Sequence, residues 1–165
     1  MEVTASSEFR TEIRAGDLGA VVGFHGREYA EQYDLDYRFE ASVAQALARY
    51  GLAYSDDPEA GRMWLAEDEE GLIGCIAISR ESGRHGRVRW FLVAQRARGQ
   101  GLGRRLFDEA MAYARERFET LELETFSELT TAGRMYRDVG FELRDSRPQS
   151  AWGREIQLQR YELSF

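Results

Sequence analysis

The chain has 165 residues, of which 43% are hydrophobic and 12% aromatic, so we expect a single folded domain over residues 1–165 and exclude a disordered chain. Its net charge of −7 argues against nucleic acid as the main partner, and no stretch approaches the roughly 20 apolar residues of a membrane span. The single cysteine excludes a disulfide framework, and the first residues lack a basic-then-apolar signal, so a cytoplasmic protein is expected.

The first third of the chain predicts one strand and two helices. Residues 8–14 alternate weakly between apolar and polar side chains and predict a strand. Residues 16–33 have helical apolar spacing, and Asp17 is a candidate N-cap. Residues 37–51 predict a clearer helix that ends at Gly51.

The middle of the chain predicts a hairpin, a further strand and a long helix. Residues 62–68 and 71–80 form the hairpin, and the second run is apolar almost throughout, which indicates a central strand. Cys75 lies in that run and is expected to pack in the core. Residues 87–93 predict the fourth strand, and residues 102–118 have the strongest helical periodicity of the chain.

The last quarter of the chain returns to strands. Residues 121–125 alternate apolar and acidic side chains, residues 128–140 predict a short helix, and residues 141–146 and 155–163 alternate again. The predicted order is β-α-α-β-β-β-α-β-α-β-β. This order favours an α/β fold with a mixed, mostly antiparallel central sheet and helices on its faces.

Charge is distributed unevenly along the chain. All 22 basic residues are arginine, and residues 1–83 carry 17 acidic against 7 basic residues. Residues 84–107 carry seven arginines and no acidic residue. A cationic segment in an acidic chain indicates a bound anion, such as a phosphorylated cofactor.

A glycine-rich turn lies inside that cationic segment, in the stretch FLVAQRARGQGLGRRLF (91–107). Glycines let the backbone turn sharply and approach a ligand, and the helix that follows adds unpaired N–H groups, so the turn suits a phosphate. The alternative is a tight strand-to-helix turn without a ligand. A Walker A loop is excluded because the chain has no lysine, and the spacing G-x-G-x-G after the fourth strand does not fit a dinucleotide fingerprint.

Two motifs carry a resemblance to a known family. RGQGLG (98–103) resembles the R/Q-x-x-G-x-G/A acetyl-CoA signature of the GNAT acyltransferase superfamily, and AGRMYRDVGFEL (132–143) resembles its A-x-x-x-Y-x-x-x-G-F segment. The chain looks most like the acetyltransferase half of bacterial MarR–GNAT fusion proteins. No winged helix-turn-helix precedes it here, so a free-standing relative or an excised domain is expected.

The resemblance implies that acetyl-CoA is bound as the acyl donor. Amides of the turn would hold its pyrophosphate, and the edge of the fourth strand would hold the pantetheine arm. Arg96 and Arg105 would bind the 3′-phosphate of acetyl-CoA or only solvate the loop. The implied binding residues are Phe91, Leu92 and Val93 of the strand, followed by Arg98, Gly99, Gln100, Gly101, Leu102, Gly103 and Arg104 of the turn.

By resemblance, Tyr136 is the acid that protonates the leaving thiolate; the alternative is a core tyrosine at a helix end. The family often has Asn seven residues before this tyrosine, and here that residue is Leu129. Its hydrogen bond would then come from Ser127 or Thr130, or be absent.

The general base is left open between two carboxylates and a histidine. Glu122 and Glu124 alternate with leucines and share one face of their strand, where they would meet the cleft or be solvated acids. His25 is the other candidate, in the helix region that covers the acceptor site in this fold. The residues expected at that acceptor site are His25, Glu28, Tyr29, Glu31, Tyr33 and Trp152.

These features predict an acetyl-CoA-dependent N-acetyltransferase that acts on a primary amine of a small molecule or protein by direct attack in a ternary complex. The acidic first half favours a cationic acceptor, such as a polyamine. The alternative is a non-catalytic acyl-CoA-binding sensor, which needs the glycine turn but not Tyr136 and a base.

No metal is expected, since one cysteine and two separated histidines do not make a usual zinc site. The sequence leaves open whether the chain forms a homodimer.

Overall fold

A computed structural model describes residues 9–165, which form a six-stranded sheet with four α-helices on its faces. This arrangement confirms the mixed sheet expected from the sequence, with six strands instead of seven. No helix of residues 9–165 is long and apolar enough to cross a membrane. The elements are α1 Asp17–Tyr33, α2 Tyr37–Asp56, β1 Gly61–Asp68, β2 Gly71–Ser82, β3 His85–Val93, α3 Leu102–Arg117, β4 Thr120–Phe126, α4 Thr130–Asp138, β5 Glu142–Ala151 and β6 Arg154–Ser164, with single 3-10 turns at Pro58–Ala60 and Gln95–Ala97.

The sheet has the strand order β1-β2-β3-β4-β6-β5, and only β3 and β4 run parallel to each other. Their ladder has three residue pairs, from His85 with Thr120 to Arg87 with Glu122. Beyond Arg87 and Glu122, β3 and β4 continue but no longer pair with each other. Their facing edges are therefore separated by a gap. This gap in the middle of the sheet positions the site.

A β-bulge bends β3 next to the gap. The register between β2 and β3 shifts between Cys75 and Ala77, and Trp90 has a φ of 50°, which is rare for a residue other than glycine. The Cys75 thiol donates a hydrogen bond to the Trp90 carbonyl at 3.1 Å, and the indole packs edge-on against Tyr50 of α2 at 5.4 Å. These contacts hold the bulge in place.

The predicted first strand is not formed in the described part of its range. Residue 8 lies outside the described residues, and residues 9–14 contribute a single bridge between Arg10 and Leu65 of β1. The guanidinium of Arg10 binds the carboxylates of Asp17 at 2.7 Å and Glu67 at 3.1 Å. The segment is therefore held by its side chains, on a path that leads directly into α1.

Two predicted helix ends are also corrected. Gly16, with φ of 93°, is the N-cap of α1, and Asp17 is its first helical residue, whose carboxylate accepts the Arg14 amide at 2.6 Å. Gly51 does not end α2, which continues to Asp56. A Cβ at residue 51 would lie 2.7 Å from Cδ1 of Leu18, so this glycine allows α1 and α2 to pack closely.

Candidate functional site

A cavity of about 600 Å³ occupies the gap between β3 and β4. One part of it, here named the turn half, is lined by Phe91–Val93 and by residues of the glycine turn up to Arg104. The other part, here named the aromatic half, is lined by side chains of α1 and α2. Residues of β4 and α4 contribute to the same cavity. The lining residues of the aromatic half are His25, Tyr29, Tyr33, Phe39 and Val43.

The turn half presents backbone amides at the start of α3. Gly99 and Gly101 have φ values of 80° and 78°, in the left-handed region that glycine adopts without strain. Gly101 is the N-cap of α3, no side chain of residues 9–165 caps the helix, and its first turn has no acidic residue. The helix therefore directs uncapped N–H groups and a positive dipole end at the cavity, an arrangement that binds phosphate.

Gly103 and the nearby arginines complete the turn half. A Cβ at Gly103 would lie 3.3 Å from Cγ2 of Val93, so glycine lets α3 approach β3. Arg98 donates to the Val93 carbonyl at 3.3 Å. Arg96 instead forms an ion pair with Asp68 at the β1–β2 turn. Of the ten residues predicted to bind acetyl-CoA, all except Gln100 line this cavity.

Tyr136 projects from α4 into the cavity wall. The residue is 5% exposed, and its ring contacts those of Phe107 at 5.8 Å and Phe91 at 6.5 Å. Burial raises the pKa of the phenol above its usual value, so the hydroxyl keeps its proton at neutral pH. Thr130 lines the same cavity, whereas Ser127 does not.

The two candidate carboxylates of β4 lie in different places. Glu124 lines the cavity, 3.3 Å from the Arg87 guanidinium. Glu122 is outside the lining, at the paired end of the β3–β4 ladder, 3.6 Å from the ring of His85. Because the ladder closes the gap beside Glu122, the structure favours Glu124 as the carboxylate that faces the cavity.

The aromatic half is a continuous cluster of rings. The ring of Tyr29 lies 4.5 Å from Phe39, 5.6 Å from Tyr33 and 6.2 Å from Phe126. Trp152 is outside the lining but packs edge-on against Phe39 at 5.1 Å, so it supports the wall from behind. The aromatic side chains predicted from α1 therefore line the cavity, and α2 extends the wall they form.

His25 is buried in the same wall, 2% exposed, with its ring stacked on Tyr29 at 5.9 Å. Its Nδ1 lies 2.9 Å from the carbonyl oxygen of Val21. Since a carbonyl only accepts, we assign the proton to Nδ1, which leaves a lone pair on Nε2. Burial lowers the pKa of His25 to about 4, so the ring is neutral at neutral pH.

The acidic character predicted for this wall is not found at Glu28. Its carboxylate accepts from the Gln32 side chain at 2.7 Å and from the Gln95 amide at 3.1 Å, outside the cavity lining. Glu31 is exposed and is also absent from the lining. These side chains lie on other faces of α1, where they contact solvent or the turn after β3.

Thr125 of β4 is a lining residue that the sequence reasoning missed. It is 6% exposed, and its Oγ1 has no hydrogen-bond partner among the described residues. A signal was present, because strand alternation places Thr125 on the buried face of Leu121 and Leu123. A hydroxyl at an apolar position of a strand indicates a ligand or water contact.

Comparison with known proteins agrees with this geometry. Residues 26–141 match the model of the Acetyltransferase (GNAT) family, more than half of the chain. Among solved structures, the fold is shared with a ribosomal-protein-alanine N-acetyltransferase from Brucella melitensis, at a TM-score of 0.72 and 20% identity over 95% of this chain and 99% of that one.

Two further structures share the fold and were solved with ligands. That of yncA from Salmonella typhimurium, with its cofactor acetyl-CoA, has a TM-score of 0.72 and 18% identity over 97% of this chain and 94% of that one. Spermidine N-acetyltransferase from Vibrio cholerae, in complex with CoA and spermine, has a TM-score of 0.68 and 20% identity over 94% of each chain. Together with the family match, the gap between β3 and β4 and the glycine turn at α3 place the chain in the GNAT acetyltransferase family.

Proposed function

We propose that the chain is an acetyl-CoA-dependent N-acetyltransferase that transfers the acetyl group directly to a primary amine within one ternary complex. The observation that carries the proposal is that a single cavity joins the glycine turn, Tyr136 and the aromatic half. The fit to acetyl-CoA rests on the positive φ of Gly99 and Gly101 and on the uncapped start of α3, features that suit a pyrophosphate. A particular similarity to MarR–GNAT fusion proteins stays a prediction, and so does the formation of a homodimer.

In this proposal the turn half holds the acyl donor. The amides at the start of α3 bind the pyrophosphate, and the edge of β3 at Phe91–Val93, which has no ladder partner in β4, hydrogen-bonds the pantetheine arm as a neighbouring strand would. Acetyl-CoA supplies the thioester whose carbonyl carbon is attacked. The binding energy of the distant phosphates is used to orient the reacting group.

Transfer forms a C–N bond and breaks the C–S bond, and two protons move. Glu124 accepts the proton from the amine, directly or through water, because it is the β4 carboxylate that lines the cavity. Tyr136, which lines the same cavity and holds its proton at neutral pH, donates that proton to the leaving sulfur. The role of Tyr136 follows the family pattern, and the role of Glu124 rests on its place in the cavity lining.

A covalent acetyl-enzyme is not part of this proposal. The one cysteine, Cys75, is buried outside the cavity lining and its thiol is bonded to the Trp90 carbonyl. Burial raises the pKa of Cys75 to about 12, so the reactive thiolate is absent at neutral pH. Direct attack by the amine needs no such intermediate.

The test is the release of free CoA from acetyl-CoA in the presence of pooled primary amines. We expect release that depends on the amine, with an acetylated amine detected by mass spectrometry. Binding of acetyl-CoA without any amine-dependent release would contradict catalysis and support the acyl-CoA sensor instead. Failure to bind acetyl-CoA would contradict both functions.

A further inference from the structure

Two residues that line the cavity carry buried polar atoms without a hydrogen-bond partner among residues 9–165. Among residues 9–165, three buried side-chain atoms lack a hydrogen-bond partner: Nε2 of His25, Oγ1 of Thr125 and the hydroxyl of Tyr50. Two of the three, those of His25 and Thr125, belong to residues that line the cavity. Buried polar atoms are normally paired, so these two indicate where a ligand makes hydrogen bonds.

The free atom of His25 can only accept a hydrogen bond. Its Nδ1–H is donated to the Val21 carbonyl at 2.9 Å, which fixes the tautomer and leaves the Nε2 lone pair unshared. The low pKa of the buried ring keeps Nε2 unprotonated at neutral pH. The ligand atom that pairs with it must therefore carry an N–H or O–H.

His25 lies close to the site of chemistry. Tyr29 stacks on His25 on one side at 5.9 Å. Tyr136 lines the same cavity as His25 and Tyr29, and its proximity adds to the effect of burial in raising the pKa of Tyr29. A nitrogen held by His25 therefore lies in the cavity that contains the proposed acid, which suits the attacking amine.

The charges of the lining favour an acceptor with one amine. The acidic side chains that line the cavity are Glu124 and Glu128. Each is paired, Glu124 with Arg87 at 3.3 Å and Glu128 with Arg154 at 2.6 Å. A polyamine brings several ammonium groups, and the carboxylates it would meet in the cavity are already partly neutralised by arginines. The aromatic rings around Tyr29 instead suit a flat apolar body.

We propose that the acceptor is a monoamine carried on an aromatic body, and that Nε2 of His25 accepts a hydrogen bond from its neutral nitrogen. This inference rests on the proposed acetyltransferase function and narrows its substrate class. The rings of Tyr29, Tyr33 and Phe39 enclose the body of the acceptor, and the hydroxyl of Thr125 is a second polar contact inside the cavity.

The test compares 2-phenylethylamine with spermidine as acceptors, with free CoA as the readout. We expect kcat/KM to be at least about tenfold higher for 2-phenylethylamine. His25→Phe keeps an aromatic ring against Tyr29 and removes Nε2, so KM for 2-phenylethylamine should rise about tenfold, as for a lost hydrogen bond, while the Kd for acetyl-CoA stays unchanged.

Two further variants separate binding from folding. His25→Asn retains a side-chain donor for the Val21 carbonyl and lacks Nε2, so its KM should rise as in the phenylalanine variant. Tyr50→Phe removes the unpaired hydroxyl outside the cavity lining and should leave KM unchanged. Preference for spermidine, or an unchanged KM in both His25 variants, would overturn this inference while the acetyltransferase function stands. Absence of acetyl-CoA binding by the parent protein would overturn both.

Discussion

The two halves of the cavity differ in the kind of groups that they present to a ligand. The turn half consists of one continuous stretch, Phe91 to Arg104, and offers mainly backbone groups. The aromatic half is assembled from side chains of α1 and α2, and the β4 residues of the same cavity lie up to a hundred residues further along the chain. Backbone recognition needs only the path of the chain, whereas side-chain recognition needs particular residues brought together by the fold.

This difference would allow related proteins to keep the same donor and to differ in their acceptors. The amides at the start of α3 depend on Gly99 and Gly101 for their path and on no side chain for their chemistry. Each substitution in the aromatic half changes the shape or polarity of the wall directly. We therefore expect substitutions in the turn half to alter acetyl-CoA affinity, and those in the aromatic half to alter acceptor use.

The largest effect is expected at Tyr136, where the two halves meet. Tyr136→Phe keeps the ring contacts with Phe91 and Phe107 but removes the proton donor. Loss of a positioned acid costs about 10²–10⁴-fold in rate, so kcat should fall by this factor. Acetyl-CoA affinity should change little, because the interaction is made only as charge develops on sulfur.

The matched control for this prediction is Tyr161→Phe. Tyr161 is also buried, its ring lies 6.3 Å from that of Tyr136, and it does not line the cavity. Its kcat should stay within about twofold of the parent. Turnover at saturating acetyl-CoA and calorimetric affinities distinguish the roles, and a parent-like kcat for Tyr136→Phe would remove it from the catalytic residues.

The turn half is tested by Gly101→Val. A β-branched residue at φ of 78° is strained and would displace the amides that follow, so acetyl-CoA affinity should fall more than about 100-fold. Gly71→Val, at φ of 115° in the first residue of β2, introduces similar strain away from the cavity. It should lose stability but not affinity. Calorimetry measures the acetyl-CoA affinity of both folded variants. Equal affinities would refute the assignment of the glycine turn as the acetyl-CoA site.

The pair Glu124 and Glu122 tests whether the base belongs to the cavity. Glu124→Gln should lower kcat about 100-fold, at the low end for a general base, since a half-exposed carboxylate can be partly replaced by water. Glu122→Gln has the same chemistry outside the lining and should change kcat less than about twofold. Equal losses in the two variants would mean that their effect is electrostatic and not proton transfer.

The smallest effect concerns the pH dependence of stability in the aromatic half. The pKa of His25 is about 4 in the folded protein against 6.5 for a free histidine, so the unfolded chain binds a proton first as the pH falls. The contribution of neutral His25 to the free energy of unfolding is complete above pH 6.5, the pKa of a free histidine, and is lost as the pH falls from 6.5 towards 4.

Urea unfolding at two pH values measures this loss. Between about pH 7 and about pH 5, the parent should lose about 2 kcal/mol more of its unfolding free energy than His25→Phe, which has no group to titrate there. The other acidic and basic groups are shared by both proteins and cancel in the difference. Identical pH profiles would show that His25 has the same pKa in the folded and the unfolded protein.

The contrast between local chain patterns in the turn half and long-range contacts in the aromatic half also explains what the sequence could predict. Periodicity located all four helices and all six strands, and the glycine turn indicated an anion site, because both are local patterns of the chain. Glu28 could not be placed, since helical spacing does not tell which face of α1 meets the cavity. Thr125 was missed because its significance depends on burial, which the alternation in β4 indicated but did not establish.

The two corrected helix ends follow the same reasoning. Asp17 and Gly51 have the residue types of caps, yet one binds Arg10 and the other accommodates Leu18. Both uses arise from contacts with segments distant in the sequence. Local propensity predicts where an element lies, and tertiary contacts decide what its terminal residues do.

The three-pair ladder between β3 and β4 has one more consequence. An unpaired strand edge is normally a hazard, because it invites pairing with another chain and aggregation. Here two such edges face each other inside the fold, enclosed by residues of α1, α2, α3 and α4. A slender ligand can add to the sheet in that gap, whereas a second polypeptide strand, with its own side chains and neighbours, is kept out. The protein thus retains open hydrogen-bonding edges without exposing them to self-association.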